Sequence, residues 1–382
     1  MIRELALENF KAFGSLELPL APLTLLTGVN AAGKSTTMQA LALLRQSWDA
    51  KLLDRQGGLL LNGDLVELGV GQDVLYEDFA TDEQKATHIG ITLDTDLGKL
   101  RWRVAYDLTR DREADMLPLR TVPSSEIPDS LFGAGFQYLK ADRIVPAVYY
   151  PKSYDVAVRR RFLGTRGEHT VNFLRVRRDD AVIPSLRHRG ALSTSLLDNV
   201  EAWLQELCPG VNIEAEDLRG TDLVRLSYGF FGRSGVASSN IRYRPTNVGF
   251  GLTYALPIVV ACLSAAPDSL IMLENPEAHL HPRGQSAMAH LACLAAASGA
   301  QVIVETHSDH ILNGIRLAVK DQILANSAVS LHYFHRGARG TAASPVPPIE
   351  VSSPQLGPDG MLSHWPSGFF DEWDTALDRL LD

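Results

Sequence analysis

Three cysteines in 382 residues, Cys208, Cys262 and Cys293, supply neither a disulfide framework nor a paired metal-type spacing. Set among apolar neighbours, they read as reduced core thiols of a cytoplasmic protein. Positive charge is scarce: 36 Lys and Arg face 45 Asp and Glu, a net charge of −9. That excludes a surface given over entirely to nucleic acid, because phosphate backbones demand concentrated cations. No apolar run reaches the length of a bilayer span, and the longest, near Leu256–Ala266 and Ala287–Ala297, read as buried helices with no membrane partner. The first residues lack the charged, apolar, then small pattern of a secretory leader. There is no internal repeat and no sustained heptad. A 45% hydrophobic share is nevertheless enough to fill two or three compact cores.

What is present begins with Gly28-Val-Asn30-Ala31-Ala32-Gly33-Lys34-Ser35, followed by Thr36 and preceded by the apolar run Leu23 to Leu26. A buried strand leading into two spaced glycines and Lys-Ser is a Walker A loop. The glycines let successive N–H groups curl towards phosphate oxygens, and the helix that follows turns its positive end to the same anion. Lys34 is expected to reach the β- and γ-phosphates of ATP, and Ser35 to offer its hydroxyl to Mg²⁺.

Around this loop the pattern is α/β. Ile2–Phe10 and Leu16–Leu20 read as strands, Leu23–Thr27 as the buried strand, and Lys34–Trp48 as a helix burying Met38, Leu41, Leu43 and Leu44. Thr87–Leu93 and Leu100–Leu108, split by a turn-like segment, suggest an antiparallel sheet. From about Pro123 to Arg244 the chain becomes polar and arginine-rich, with one amphipathic helix at Thr194–Leu207, which suggests an inserted lobe. From Val248 strands at Ser269–Glu274, Gln301–Glu305 and Val329–His335 alternate with helices at Leu252–Leu263 and Arg283–Ala297, a pattern of parallel pairing. Thr341–Pro348 reads as a linker before a short C-terminal unit. The expected division is 1–122 for the first half of the core, 123–244 for the lobe, 245–340 for the second half, and 341–382 for linker and tail.

Glu274 ends a buried strand, where a phosphate-loop ATPase needs an acid to hold Mg²⁺ opposite Ser35. Glu277, His279 and His281 follow it closely. His307 ends the next strand and is expected at the same carboxyl edge, where ligands of parallel sheets sit. Between Arg159 and Arg189 nine arginines face three acids, a local excess of six positive charges. That strip is either a solvated face with local ion pairs or a docking strip for a polyanion.

Asn9-Phe-Lys-Ala-Phe13, the Walker A loop, Leu273–Pro282 and Glu305–His310 together resemble ABC-type ATPases related to the SMC, RecF and overcoming-lysogenization-defect proteins. Arg242–Gly251 and Trp365–Phe370 are similar to a bacterial subfamily of AAA-labelled ATPases with a small C-terminal domain of unknown function. The inserted lobe matches weakly, mainly at Ala141–Pro146. The resemblance implies a P-loop NTPase fold of ABC type, with a mixed sheet, an antiparallel β subdomain and an inserted lobe. It implies a homodimer in which the Walker A loop of one copy and a signature segment of the other hold ATP and Mg²⁺ between them. Asn247, Gly249 and Gly251 occupy the signature position, and His307 that of the switch histidine. Gln72 is the first candidate for the lid glutamine at the metal, with Gln39 and Gln46 left open. One position departs from the pattern: Asn275 stands where a water-activating glutamate usually follows the Mg²⁺ acid. An amide accepts no proton, so Glu277 becomes the candidate base.

The function expected on this basis is an ATP-gated dimeric clamp or sensor in DNA maintenance or phage defence, with DNA or a separate effector protein as further partner. A Toprim-type nuclease segment is not seen after Val329, so any nuclease is expected on another chain. Two other readings stay open. One is a nucleotide-sensing scaffold with little turnover; the other is a metal-dependent hydrolase or nuclease using Glu274, Glu277, His279, His281, His307, Asp309 and His310.

Overall fold

The computed structural model describes residues 1–54, 56–76, 88–124, 126–231, 241–337 and 347–381. Thr87, parts of the expected lobe, and most of the expected linker Thr341–Pro348 lie outside them. The chain forms two compact units, one of Met1–Gly133, Ser327–Leu356 and Leu362–Asp382, the other of Ala134–Asn326 and Gly357–Met361. These cuts fall at different places from the four-part division expected from composition.

The first unit opens with β1 (Ile2–Phe10), β2 (Phe13–Pro19) and β3 (Leu23–Gly28), then α1 (Lys34–Asp49). It continues through β4 (Gly58–Leu60), α2 (Gly71–Val74), β5 (His88–Thr95), β6 (Gly98–Ala105), β7 (Met116–Thr121) and α3 (Asp129–Phe132). An antiparallel sheet of order β2-β1-β5-β6-β7-β4 carries the N-terminal strands. Leu5, Leu7 and Phe10 of β1 and Phe13, Leu16 and Leu18 of β2 are buried, the alternation of a sheet with one dry face. β3 is buried along almost its whole length, as a strand covered on both faces must be. Met38, Leu41, Leu43 and Leu44 of α1 are all fully buried.

The second unit contains β8 (Phe136–Leu139), β9 (Tyr150–Pro151), α4 (Thr170–Arg177), α5 (Leu196–Leu207), β10 (Val211–Asp217) and β11 (Leu223–Phe230). It goes on to α6 (Phe250–Leu263), β12 (Leu270–Glu274), α7 (Pro282–Ala297), β13 (Gln301–Glu305) and α8 (Asp309–Lys320). β12 pairs in parallel with both β13 and β8. β8 lies in the stretch expected to be a polar lobe, yet it is part of the sheet that carries Glu274. Four residues, all buried, are too short a run to show a strand's period. β10 and β11 form an antiparallel hairpin, also within that stretch. α6 is buried almost all round from Leu252 to Leu263, as a central core helix is.

The chain then returns to the first unit with β14 (Val329–Arg336), β15 (Ile349–Ser352) and α9 (Glu372–Leu381). β14 runs parallel to β3 and antiparallel to β15, so the sheet is mixed. Cys262 and Cys293 are free and buried, and burial pushes both thiols up to about 12. Among the described residues no helix is long and apolar enough to cross a membrane.

Candidate nucleotide site

In the first unit β3 runs directly into the glycine-rich loop, and α1 starts at Lys34. Gly28 has φ +136°, and a Cβ there would lie 2.0 Å from the Phe334 carbonyl oxygen. Gly33 has φ +86°, and its Cβ would lie 2.4 Å from the Phe13 ring. Both positions therefore require glycine for conformation and for space. Ala31 also has a positive φ, 58°. Asn30 and Ala31 are exposed at the loop tip, whereas Ala32 and Thr36 are buried beneath it. The Lys34 ammonium donates to the carbonyls of Gly28 at 2.9 Å and Val29 at 2.8 Å, across the mouth of the loop. No acid sits in the first turn of α1, so nothing there offsets its positive end. Ser35 is half-buried in that same turn.

The Asn9–Phe13 turn supports this loop through Phe13. It is tied in turn to the Gln72 segment, since Lys11 N–H donates to the Val74 carbonyl at 2.8 Å and Tyr76 N–H to that of Asn9 at 3.2 Å. Gln72 itself is exposed, and its side-chain oxygen accepts from Arg112 Nε at 2.9 Å. Gln46 is committed elsewhere: its oxygen accepts from Val66 N–H at 2.9 Å and its nitrogen donates to the Leu60 carbonyl. Gln39 is half-buried on α1.

In the second unit Glu274 ends β12 in register with Glu305 of β13. Its two carboxylate oxygens have separate donors: the Tyr138 hydroxyl at 2.5 Å and the Ala141 N–H at 3.0 Å. Burial, and then the Glu274 charge, push the Tyr138 phenol well above its ordinary value, so it stays a donor. Asn275 turns the chain with φ +43°, and its N–H donates to the Glu305 carbonyl at 2.8 Å. Glu277 Oε1 accepts the backbone N–H of His307 at 3.0 Å, while Oε2 is buried with no hydrogen-bond partner among the described residues. His307 is exposed. Ser308 caps α8 and donates to Gln285 Oε1 of α7 at 2.5 Å, a tie from the turn after β13 to the first turn of α7.

Arg143 was not singled out by the sequence reading. It is 1% exposed, and its guanidinium donates to the carbonyls of Lys140 at 3.1 Å, Glu274 at 2.8 Å and Asn275 at 2.7 Å. Burial pulls it down to about 10, against the raising effect of Glu277, Tyr254 and Glu274, so it remains a cation at neutral pH. The nearest sequence signals are the short Phe136–Leu139 run, for Tyr138, and the weak resemblance at Ala141–Pro146, for Arg143.

Pro245–Asn247 forms a single turn, and Gly249 precedes the first residue of α6. Asn247 and Gly249 are exposed, and a Cβ on Gly249 would meet nothing within 4 Å. At Gly251 it would lie 2.8 Å from the His279 carbonyl. The His279 ring packs edge-on to Tyr254 at 4.5 Å and lies 5.5 Å from Phe250.

Among the described residues no three His, Cys, Asp or Glu side chains are grouped as a metal ion would require. The seven residues of the hydrolase reading are therefore not assembled into one centre of that kind. In the arginine strip several charges are matched locally: Arg159 pairs with Asp155, Arg166 with Asp142 at 3.5 Å, and Arg177 with Asp180 at 3.0 Å.

Comparison with known proteins adds family context. Residues 1–98 match the family described as an AAA ATPase domain, and residues 220–313 the family described as an AAA domain, putative AbiEii toxin, Type IV TA system. Residues 324–380 match a protein family of unknown function, DUF3696. The OLD nuclease of Thermus scotoductus is 26% identical over 372 residues, covering 84% of this chain and 62% of that protein. The chain thus spans less than two thirds of that relative's length. A crystal structure of an SMC head bound to the C-winged helix domain of ScpA superimposes with a TM-score of 0.50 at 15% identity, covering 93% of this chain and 98% of that one. That likeness shows the fold alone, a mixed α/β fold.

Proposed function

We propose that this chain, an AAA-type ATPase of SMC-head fold with a C-terminal DUF3696 segment, is an ATP-gated dimeric clamp. The observation that carries ATP use is the phosphate loop: two glycines whose conformations no other residue fits, Lys34 across the loop mouth, and an α1 N-terminus without a compensating acid. The cradle suits a magnesium-bound triphosphate, and the buried Glu277 oxygen, without a hydrogen-bond partner among the described residues, suits a water. Gly28, Asn30, Ala31, Ala32, Gly33, Lys34 and Thr36 would take the phosphates, and Ser35 and Glu274 would hold Mg²⁺ with Gln72 as a further ligand. The metal supplies charge neutralisation at the phosphoryl oxygens. Asn247, Gly249 and Gly251 would receive the γ-phosphate of a second copy, a reading supported by the open space over Gly249 at the start of α6.

Asn275 orients but cannot take a proton, so Glu277 accepts one from the attacking water and His307 steadies the γ-phosphate. The tie from Glu277 to the His307 backbone supports this pairing of roles. Closing and opening of the dimer would act on DNA or on a separate effector protein in genome maintenance or phage defence. Mass photometry with and without Mg·ATP tests the clamp: dimers that gather with ATP and persist in Glu277→Gln are expected. A mass distribution indifferent to ATP in both proteins contradicts it. A second reading, a nucleotide sensor with slow turnover, is favoured by Asn275 at the usual place of the base.

A further inference from the structure

A buried arginine that makes no hydrogen bond to a carboxylate among the described residues is costly to keep, and an apolar residue of similar volume would fill the space at lower desolvation cost. Arg143 is such a residue. Its fork grips two consecutive carbonyls, those of Glu274 and Asn275. Asn275 has a positive φ of 43°, a left-handed bend that asparagine tolerates better than most side chains, and the Arg143 fork holds the carbonyls on its two sides. The guanidinium carbon lies 5.6 Å from the centre of the Tyr254 ring on α6, and that ring packs against His279. Arg143 therefore touches the end of β12 and the helix that follows the exposed Asn247–Gly251 segment.

We infer that Arg143 is a positioning residue that locks the turn after β12, so that Glu274 and Glu277 present their carboxylates in fixed directions, with Tyr138 fixing the Glu274 carboxylate from its other side. The inference rests on the magnesium–ATP reading of the site. Four residues divide the work: Tyr138 and Ala141 orient the Glu274 side chain, Arg143 orients its backbone and that of Asn275, and the His307 N–H donates to Glu277 at the far end of the turn. Lysine would keep the charge of Arg143 and lose the planar fork that spans two carbonyls.

The test measures ATP affinity of the full chain in EDTA and in Mg²⁺, together with kcat, for the wild type, Arg143→Lys and Tyr138→Phe. Outer partners of metal ligands typically contribute about 10- to 100-fold. Both variants are expected to bind ATP in EDTA within about twofold of wild type, to lose about tenfold of the tightening that Mg²⁺ gives, and Arg143→Lys to lose about 10- to 100-fold in kcat. A residue that served packing alone would lower the melting temperature and leave the Mg²⁺ tightening intact, which overturns the inference. Should Arg143→Lys fail to fold, Tyr138→Phe decides by the same ratio. Wild-type protein that binds no ATP in either buffer removes the nucleotide reading and this inference with it, whereas normal ATP binding with unchanged ratios in both variants removes the inference alone.

Discussion

The phosphate loop of the first unit and the acidic turn of the second are built by opposite means. The side chain that closes the loop comes from the loop's own segment, a lysine that folds back on the carbonyls five and six positions earlier, although Phe13 and Phe334 pack against its glycines. The turn takes its shape from far away: the donors to Glu274 and Asn275 come from 131 to 136 positions earlier in the chain. Local geometry can be read as a motif, while a turn held by distant anchors can be altered without touching any motif residue.

The largest effects are expected at the loop. Gly28→Val places a branched side chain into the Phe334 carbonyl at a φ that valine avoids, and should remove ATP binding and cost roughly 4 kcal/mol or more of stability, read by calorimetric titration and urea unfolding. Lys34→Ala, which leaves the backbone alone, should lose tight ATP binding without that loss of stability; retained affinity would separate the loop from nucleotide. At the turn, Glu277→Gln should lower kcat by about 10²–10⁴ with ATP affinity retained, measured by single-turnover hydrolysis. An unchanged rate would take Glu277 out of the chemistry.

The first unit has its own long-range anchor, and it titrates. His332 is buried, and since the Pro19 carbonyl can only accept, Nε2 donates to it at 2.8 Å while Nδ1 accepts from the Ser353 hydroxyl at 2.8 Å. Burial pulls its pKa from 6.5 down to about 4. The unfolded chain then binds a proton first, so the stability from neutral His332 is present above about pH 6.5 and is lost as pH falls towards 4. The advantage of wild type over His332→Gln in urea should shrink by up to about 1.4 kcal/mol per pH unit across that window. A constant gap would mean that the imidazole is already charged in the fold. The smallest effect is expected from replacing Arg159, Arg160 and Arg161 together: about tenfold weaker DNA or effector binding at low salt if the strip docks a polyanion, and none if it is a solvated, ion-paired face.

What could be read from the sequence follows this division. β3, α1, β12 and β13 were legible because each is a long or wholly apolar run bounded by chemistry-bearing residues, and Lys34, Glu274 and His307 sit at their ends. β8 was hidden because four buried residues show no period, and the arginine-rich stretch around it suggested a surface lobe. Hiding β8 also hid Tyr138 and Arg143, whose roles exist only once β8 pairs with β12. The β10–β11 hairpin escaped notice although Val211, Ile213 and Ala215 alternate with Asn212, Glu214 and Glu216, because the short run lies within a polar stretch.

The central claim is that Lys34, Ser35 and Glu274 serve one magnesium-bound triphosphate. Isothermal titration of ATP into wild type, Lys34→Ala and Glu274→Gln, each in EDTA and in Mg²⁺, tests it most directly. The account predicts that Lys34→Ala loses binding in both buffers and that Glu274→Gln loses only the part that Mg²⁺ adds. Binding by Glu274→Gln that is as tight as wild type in Mg²⁺ would contradict it.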